Sequence, residues 1–444
     1  MSLSINNSVQ FKINELFLIT KFGKIDLTNI FEELNLYDCL FLPVISGKIL
    51  LTDAIGIYSK LLFDGSEFIQ MDISKSKDST IGNFKKSYKI YNVSDKKNVG
   101  LNAQSYILHF VSSELFLSDQ QRVNQSYEMT YSDAAKRIIT DYLKVPSNRL
   151  TGYFNTSIGI KNIVVPNLKP IEALQWMAKV AVDDKTSPNF LFFENAIGFN
   201  FATLSGLLPR NAILDIKFSP KNTSSNNPIT DLSNARAIQI ISHVDAINRI
   251  RSGIDSGRIL SFDPLTGMLG NKPISYGDHF LAMNHGNPNP SSSVIDNSIN
   301  KNNMEMHDSR KTLGIFGTPR LFSKYIKKND PTSLSKLDDT ENYKFQREAI
   351  MQNLTNKRIR LVMPGNFQLS SGFNINMISP NFSQKEVGVS NEDKSVNGKY
   401  IIAATRHIIG YNKFETIIEV ATTSNTEKAS RVDSELPRED QKYA

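Results

Sequence analysis

At 444 residues the chain is too long for one typical core of roughly 150 residues, so about three structural units are expected. Apolar residues make up 40% and charged residues 21%, a balance that excludes an intrinsically disordered chain. The formal net charge of +7 is spread along the sequence and mixed with acids. Without a Lys/Arg tract interleaved with aromatics, it reads as a solvated surface rather than a nucleic-acid grip.

The first thirty residues alternate apolar and polar positions and include Lys12, Glu15, Lys21 and Lys24, so no signal-peptide core is visible. No run reaches the roughly 18 apolar residues that a membrane helix needs. The longest apolar stretches, such as Leu40–Ile45 and Phe190–Phe193, have strand length. The single cysteine, Cys39, excludes a disulfide framework or a Cys-rich metal site within one chain. It stands in an apolar run with no nucleophile signature around it, so a buried, inert thiol made in a reducing compartment is expected.

The opening third predicts strands at Ile49–Asp53, Glu67–Ile73, Tyr88–Val93 and Ser105–Val111, punctuated by Gly47, Gly56, Gly65, Gly82 and Gly100. Short strands at this spacing suggest a barrel or sandwich. From Tyr131 to Leu143 the period becomes helical, with Thr130 or Asp133 capping the start and Pro146 ending the segment. A second helix is predicted from Pro170 to about Val182, buried along Ile171, Leu174, Met177, Ala178 and Ala181. Trp176 lies just off that stripe and reads as partial core. An aromatic hairpin follows, with Phe190, Phe192 and Phe193 facing Phe199 and Phe201 across a turn at Asn195–Gly198.

Residues 219–234 read as a loop, Ile238–Val244 as a strand, then a short helix closed at Gly253, and Gly257–Pro264 as another strand. The Asn/Ser-rich stretch 287–311 predicts a long mobile loop. A helix from about Asn342 to Leu354 leads into a second strand-rich block: Arg358–Met363, Phe373–Ile378, Tyr400–His407 and Phe414–Ala421. The charged last twenty residues read as a frayed tail. Gly65-Ser-Glu-Phe-Ile-Gln-Met-Asp72 and Ser371-Gly-Phe-Asn-Ile-Asn-Met-Ile378 hold similar places in the two blocks, which suggests a duplicated barrel with a helical insertion between the copies.

Chemistry is sparse. The sequence has no P-loop, no Gly-x-Gly-x-x-Gly opening a helix and no Gly-x-Ser-x-Gly elbow. None of His109, His243, His279, His285, His307 and His407 forms a helical metal pair. His279 and His285 sit in a Gly/Asn/Pro-rich loop, while His109 and His407 fall in alternating strands, where structural hydrogen bonds are expected. Glu32–Glu33 and Asp183–Asp184 are adjacent pairs that diverge from one another and read as solvated ends. The expectation is therefore no catalytic, cofactor-binding or metal residues, and no enzyme.

Several segments, in order along 40–424, resemble baseplate hub proteins of contractile-tailed bacteriophages. Leu101-Asn-Ala-Gln-Ser-Tyr-Ile-Leu-His-Phe-Val-Ser-Ser-Glu-Leu-Phe116 and Gln121-Arg-Val-Asn-Gln-Ser-Tyr127 resemble the end of the first tube-like domain and the entry to the insertion. Ser46-Gly-Lys48, Val164-Val-Pro-Asn-Leu-Lys-Pro-Ile-Glu-Ala-Leu174 and Phe192-Phe-Glu-Asn-Ala-Ile-Gly-Phe-Asn-Phe201 add to the likeness. So do Leu361-Val-Met-Pro-Gly-Asn366, Asn397-Gly-Lys-Tyr-Ile-Ile402, Arg406-His-Ile-Ile409 and Phe414-Glu-Thr-Ile-Ile-Glu419.

The resemblance implies a mainly β chain with α+β insertions: two tail-tube-type antiparallel β-barrel domains joined by helix-containing domains. It divides the chain into a first barrel at 1–117, a helix-containing insertion at 118–235 and a connecting region at 236–345. A second barrel block follows at 346–424, completed by strands from 236–264, with a flexible tail at 425–444. It implies a homotrimeric, pseudo-sixfold ring that adapts a hexameric tail tube to a trimeric central spike, which in some relatives carries a lysozyme domain. The implied partners are a second and third copy, the spike, the tube or its initiator proteins, surrounding baseplate proteins, and genomic DNA passing the lumen non-specifically, with no membrane insertion and no cofactor. The implied location is the virion tail baseplate, after synthesis in the host cytoplasm. Alternatives are a hub or spike component of a related contractile injection or secretion machine, a tail-tip cell-wall hydrolase, or a carbohydrate-binding β protein.

Overall fold

A computed structural model describes residues 11–426 apart from 62, 75–83, 101, 148–149, 184–186, 219–232, 243–255, 263–268, 276–282, 291–309, 317–339, 381–392, 394 and 412. The expected short helix closed at Gly253, most of the stretch 287–311, most of 219–234, the tail beyond 426, and His243, His279, His307 and Asp184 lie outside those residues.

The chain opens with β1 (Lys12–Thr20), β2 (Gly23–Asp26), β3 (Phe31–Cys39) and β4 (Ser46–Asp53). A short helix α1 (Ile57–Leu61) precedes β5 (Phe68–Ser74), β6 (Phe84–Val99) and β7 (Ala103–Ser112). The alternation seen in the sequence is real: Ile69, Met71 and Ile73 on β5, and Tyr106, Leu108 and Phe110 on β7, are all fully buried. The apolar run Leu40–Ile45 is a turn rather than a strand. Leu42 N–H donates back to Cys39 O, and Pro43 has no N–H for a ladder, so the chain reverses and leaves Phe41 and Leu42 exposed.

After α2 (Ser113–Asp119), β8 (Ser126–Met129) pairs with β9 (Lys161–Val164) around helix α3 (Tyr131–Asp141). Thr130 caps α3, its Oγ1 accepting from Asp133 N–H at 3.2 Å. Helix α4 (Pro170–Val180) starts on its proline, and Glu172 reaches back to accept from Lys169 N–H at 3.2 Å. The stripe Ile171, Leu174, Met177, Ala178 is buried, as is Ala181 just beyond the helix end, while Trp176 is partly buried against the same core. β10 (Phe190–Glu194) and β11 (Phe199–Thr203) form the aromatic hairpin, with Phe192 opposite Phe201 and Glu194 opposite Phe199. A four-residue turn of helix, α5 (Leu204–Leu207), closes this part.

Three strands follow: β12 (Ala212–Phe218), β13 (Asn234–Ala235) and β14 (Ala237–Ser242). Then come β15 (Ser256–Phe262), β16 (Leu269–Ser275), β17 (Asn289–Pro290) and β18 (Arg310–Phe316). Helix α6 (Thr340–Asn356) runs directly into β19 (Lys357–Pro364). The last strands are β20 (Asn374–Ile378), β21 (Gly398–Gly410), β22 (Lys413–Thr422) and β23 (Ser424–Asn425). β15, β16 and β18 form a separate three-stranded sheet, and β17 pairs with β23.

Most strands belong to one 14-stranded sheet. Within it, β3 to β7 lie in the order β3-β4-β7-β6-β5, every neighbour antiparallel. The second block repeats that order as β14-β19-β22-β21-β20, again antiparallel throughout. The peptides aligned in the sequence, on β5 and β20, hold the same third place along the chain in the two orders, and both Ile69/Met71 and Ile375/Met377 are buried. The flanks differ: β1 joins β5 antiparallel, whereas β12 joins β20 parallel. In the second block β13 pairs with β12, Arg236 N–H donates to Val362 O at 2.8 Å, and β14 pairs with β19, so the path of pairings returns on itself.

The candidate assembly surface and the seam behind it

The two strand blocks meet where β3 pairs with β21, from Cys39 opposite Ala404 to Glu33 opposite Gly410. Arg406 Nε donates to Asn35 Oδ1 at 2.8 Å, and Asn35 Nδ2 donates to Glu33 Oε1 at 2.7 Å. Below that face the cores interlock. Phe367, Ile409 and Phe414 of the second block belong to the hydrophobic cluster of the first. Phe367 stacks on Phe84 at 5.1 Å and meets Phe414 at 4.7 Å.

Two buried titratable groups sit in this seam. Asp38 accepts from Ser371 N–H at 3.2 Å and from the Ser370 hydroxyl, and burial pushes its carboxyl up to about 6 against the pull of those hydrogen bonds. His407 is hydrogen-bonded through Nδ1 to Thr416 Oγ1 at 3.0 Å, and burial among aromatic rings lowers it to about 3. A hydrogen bond of this kind is what its strand pattern implied. His109 likewise bonds Ser94 Oγ at 2.9 Å.

A third polar node binds the aromatic hairpin to the first block. Glu194 is buried; its carboxylate accepts from Ile45 N–H at 2.8 Å and Ser112 Oγ at 2.5 Å, and it pairs with Lys86. Arg347 of α6 donates to the carbonyls of Ala178, Pro188 and Phe190 at 3.0, 2.7 and 3.1 Å, which locks that helix onto α4 and β10. Neither node carries a sequence signature, because each joins residues more than 60 positions apart.

Two expectations are corrected here. Asp183 is not a solvated end but a buried acceptor, taking Ser187 N–H at 2.7 Å and Thr203 Oγ1 at 3.1 Å. Cys39 is only partly buried, between buried Asp38 and Leu40 at the end of β3; burial still raises its thiol above the usual range. Among the described residues no group of three or more His, Cys, Asp or Glu could hold a metal ion. No described helix is long and apolar enough to cross a membrane.

Apolar surface is exposed on the first block, where the 40–45 turn meets β6, β7 and α2. A groove of about 470 Å³ is lined by Leu42, Val44, Tyr91, Val111, Leu115 and Phe116. Leu42 and Tyr91 are 52% and 54% exposed. Hairpin tips at both ends add Phe22, 88% exposed, and Tyr411, 84% exposed. The groove, where several apolar side chains meet, is the candidate contact site; Phe22 and Tyr411 are single exposed residues on separate turns.

No protein-family profile matches the sequence, and no curated protein matches it. Solved structures do. A 43 kDa prophage tail protein from Shewanella oneidensis superposes with a TM-score of 0.53 at 9% identity, over 92% of this chain and 98% of that one. A tail protein from Neisseria meningitidis gives 0.48 at 11% identity over 92% and 96%. An Escherichia coli component of the type VI secretion system, itself similar to bacteriophage T4 tail proteins, gives 0.42 at 8% over 95% and 79%. The chain is mainly β with large antiparallel sheets, and it shares its fold with the Shewanella prophage tail protein across nearly the whole of both chains.

Proposed function

We propose that this chain is a structural subunit of a phage tail baseplate hub, a trimeric ring with pseudo-sixfold symmetry that joins a hexameric tube to a threefold spike. The observation that carries the reading is the repeated strand order, β3-β4-β7-β6-β5 and β14-β19-β22-β21-β20, within one chain. Two similar blocks per chain give six similar blocks in a trimer, so one ring can face sixfold symmetry on one side and threefold on the other. The fold shared with the Shewanella tail protein supports a tail role, and a structural rather than enzymatic one.

In this reading the strand blocks are the two tube-like barrels. The first spans residues up to 117; the second takes β19 to β22 together with β12, β13 and β14, which lie before α6 in the chain. The helices α3 and α4 with the β10–β11 hairpin form the insertion. The exposed groove and hairpin tips are the surfaces that meet a second copy, the spike or the tube, and DNA passes the lumen without specific contact.

The test is the absolute mass in solution by light scattering, alone and with a candidate spike protein, followed by electron microscopy of the particle. A species of three times the 49.9 kDa chain mass, with six similar densities around one axis, is expected. A monomer at all concentrations and with every spike tested would refute it.

A further inference from the structure

The buried amine of Lys357 is held against the side-chain amide of Asn425. Lys357, the first residue of β19, is 3% exposed, and its Nζ donates to Asn425 Oδ1 at 2.9 Å. Since a carbonyl bond is about 1.23 Å long, Nζ lies within about 4 Å of the amide carbon Cγ. Among the described residues no carboxylate is within ion-pair distance of that ammonium. Its other neighbour is the ring of buried Tyr400, 5.5 Å away.

We propose that Lys357 and Asn425 condense, in the folded chain, into an intramolecular isopeptide bond between Nζ and Cγ, with loss of ammonia. The balance is simple. The neutral amine attacks Cγ, the Nζ–Cγ bond forms, the Cγ–Nδ2 bond breaks, and one Nζ proton leaves on the departing nitrogen as NH3. No oxidant, cofactor or second substrate is needed.

Two features favour the step. The first is a free amine: burial lowers Lys357 to about 8, so roughly a tenth of it is the neutral nucleophile at pH 7, where an exposed lysine offers far less. The second is a fixed amide. Asn425 pairs with Asn289 across β17 and β23. Asn289 Nδ2 holds Thr426 O at 2.9 Å, and Asn287 N–H holds Ser424 Oγ at 2.9 Å. Holding both groups in contact converts a slow encounter into an intramolecular reaction. The bond would tie the start of β19 to the edge that follows β22, its neighbour in the sheet, where Lys357 already stands opposite Thr422.

High-resolution mass spectrometry of the purified full-length chain, after incubation at mildly alkaline pH, tests this. The expected result is an intact mass lower than the sequence by about 17 Da, one ammonia, and a branched peptide joining Lys357 to Asn425 after digestion. Both should vanish in Lys357→Arg and in Asn425→Ala. The wild-type result decides the matter even where a variant folds poorly. A folded chain that keeps its full mass overturns the proposal. So does an equal mass loss that persists in Lys357→Arg, which would belong to a succinimide at Asn397–Gly398.

Discussion

The carboxylate of Asp38 and the backbone N–H of Ser371, 333 positions apart, meet at 3.2 Å in the seam between the two strand blocks. The contact costs something, because burial there disfavours the charged carboxylate. The folded state binds the Asp38 proton more tightly than the unfolded chain. Its stabilisation is therefore complete below about pH 4 and is lost as pH rises through about 6. Asp38→Asn keeps an acceptor for Ser371 without the charge. The variant should gain on the order of 1–3 kcal/mol at pH 7 and lose the pH dependence between 4 and 6.5. Urea melts of both proteins across that range measure it; a parallel pair of curves would refute it.

His407 acts with the opposite sign. Burial depresses it to about 3, so its contribution is complete above pH 6.5 and is lost as pH falls toward 3. His407→Gln, whose amide can still meet Thr416, should flatten the acid limb of the stability curve by up to about 4 kcal/mol. The same pH series read on Asp38→Asn/His407→Gln separates the two opposing groups.

Glu194 closes three donors at once. Glu194→Ala leaves the Lys86 charge and the Ile45 N–H without their partner and should cost about 3–5 kcal/mol. The paired replacement Lys86→Met/Glu194→Leu should recover part of that loss. Calorimetry on the two variants gives the comparison, and equal melting temperatures would count against the node.

Phe367 fills the first block's core from a loop of the second. Phe367→Ala should cost about 3–5 kcal/mol and lower the melting of both blocks together. Two separate transitions in the variant, with the second block unchanged, would show the blocks to be energetically independent.

Leu42 is 52% exposed at the rim of the groove and lies outside the buried core. Leu42→Asp should leave the unfolding free energy of the monomer within about 0.5 kcal/mol of the wild type. It should weaken self-association or spike binding in sedimentation, and full retention of both would remove the groove from the assembly surface.

Much of the local architecture was legible because short-range rules write it. Thr130 before Asp133, Pro170 at the head of α4, and alternation on β5 and β7 each fix a helix end or a strand face within a few residues. The same reasoning misread Leu40–Ile45, where an apolar run of strand length contains Pro43 and folds back as a turn. It also misread Asp183, because a carboxylate's surroundings cannot be counted from its sequence neighbours. His407 could be placed on a strand, but not its depressed titration, which depends on Phe367 and Phe414 closing over it.

The sequence by itself determined the class of the chain: strand-rich blocks at both ends, an amphipathic helical insert between them, and a pattern resembling tail hub proteins. The blocks and the insert rest on periodicity, capping and turn residues, which act over one or two turns of chain, and the resemblance rests on the order of short segments along 40–424. Only the tertiary structure decided that the two blocks repeat one strand order, that β12 and β13 join the second block beside β14, and that Asp38, Glu194 and Lys357 meet the partners they do. Such contacts join residues tens to hundreds of positions apart, and long-range pairing is fixed by how whole sheets bury their faces against each other rather than by any local preference.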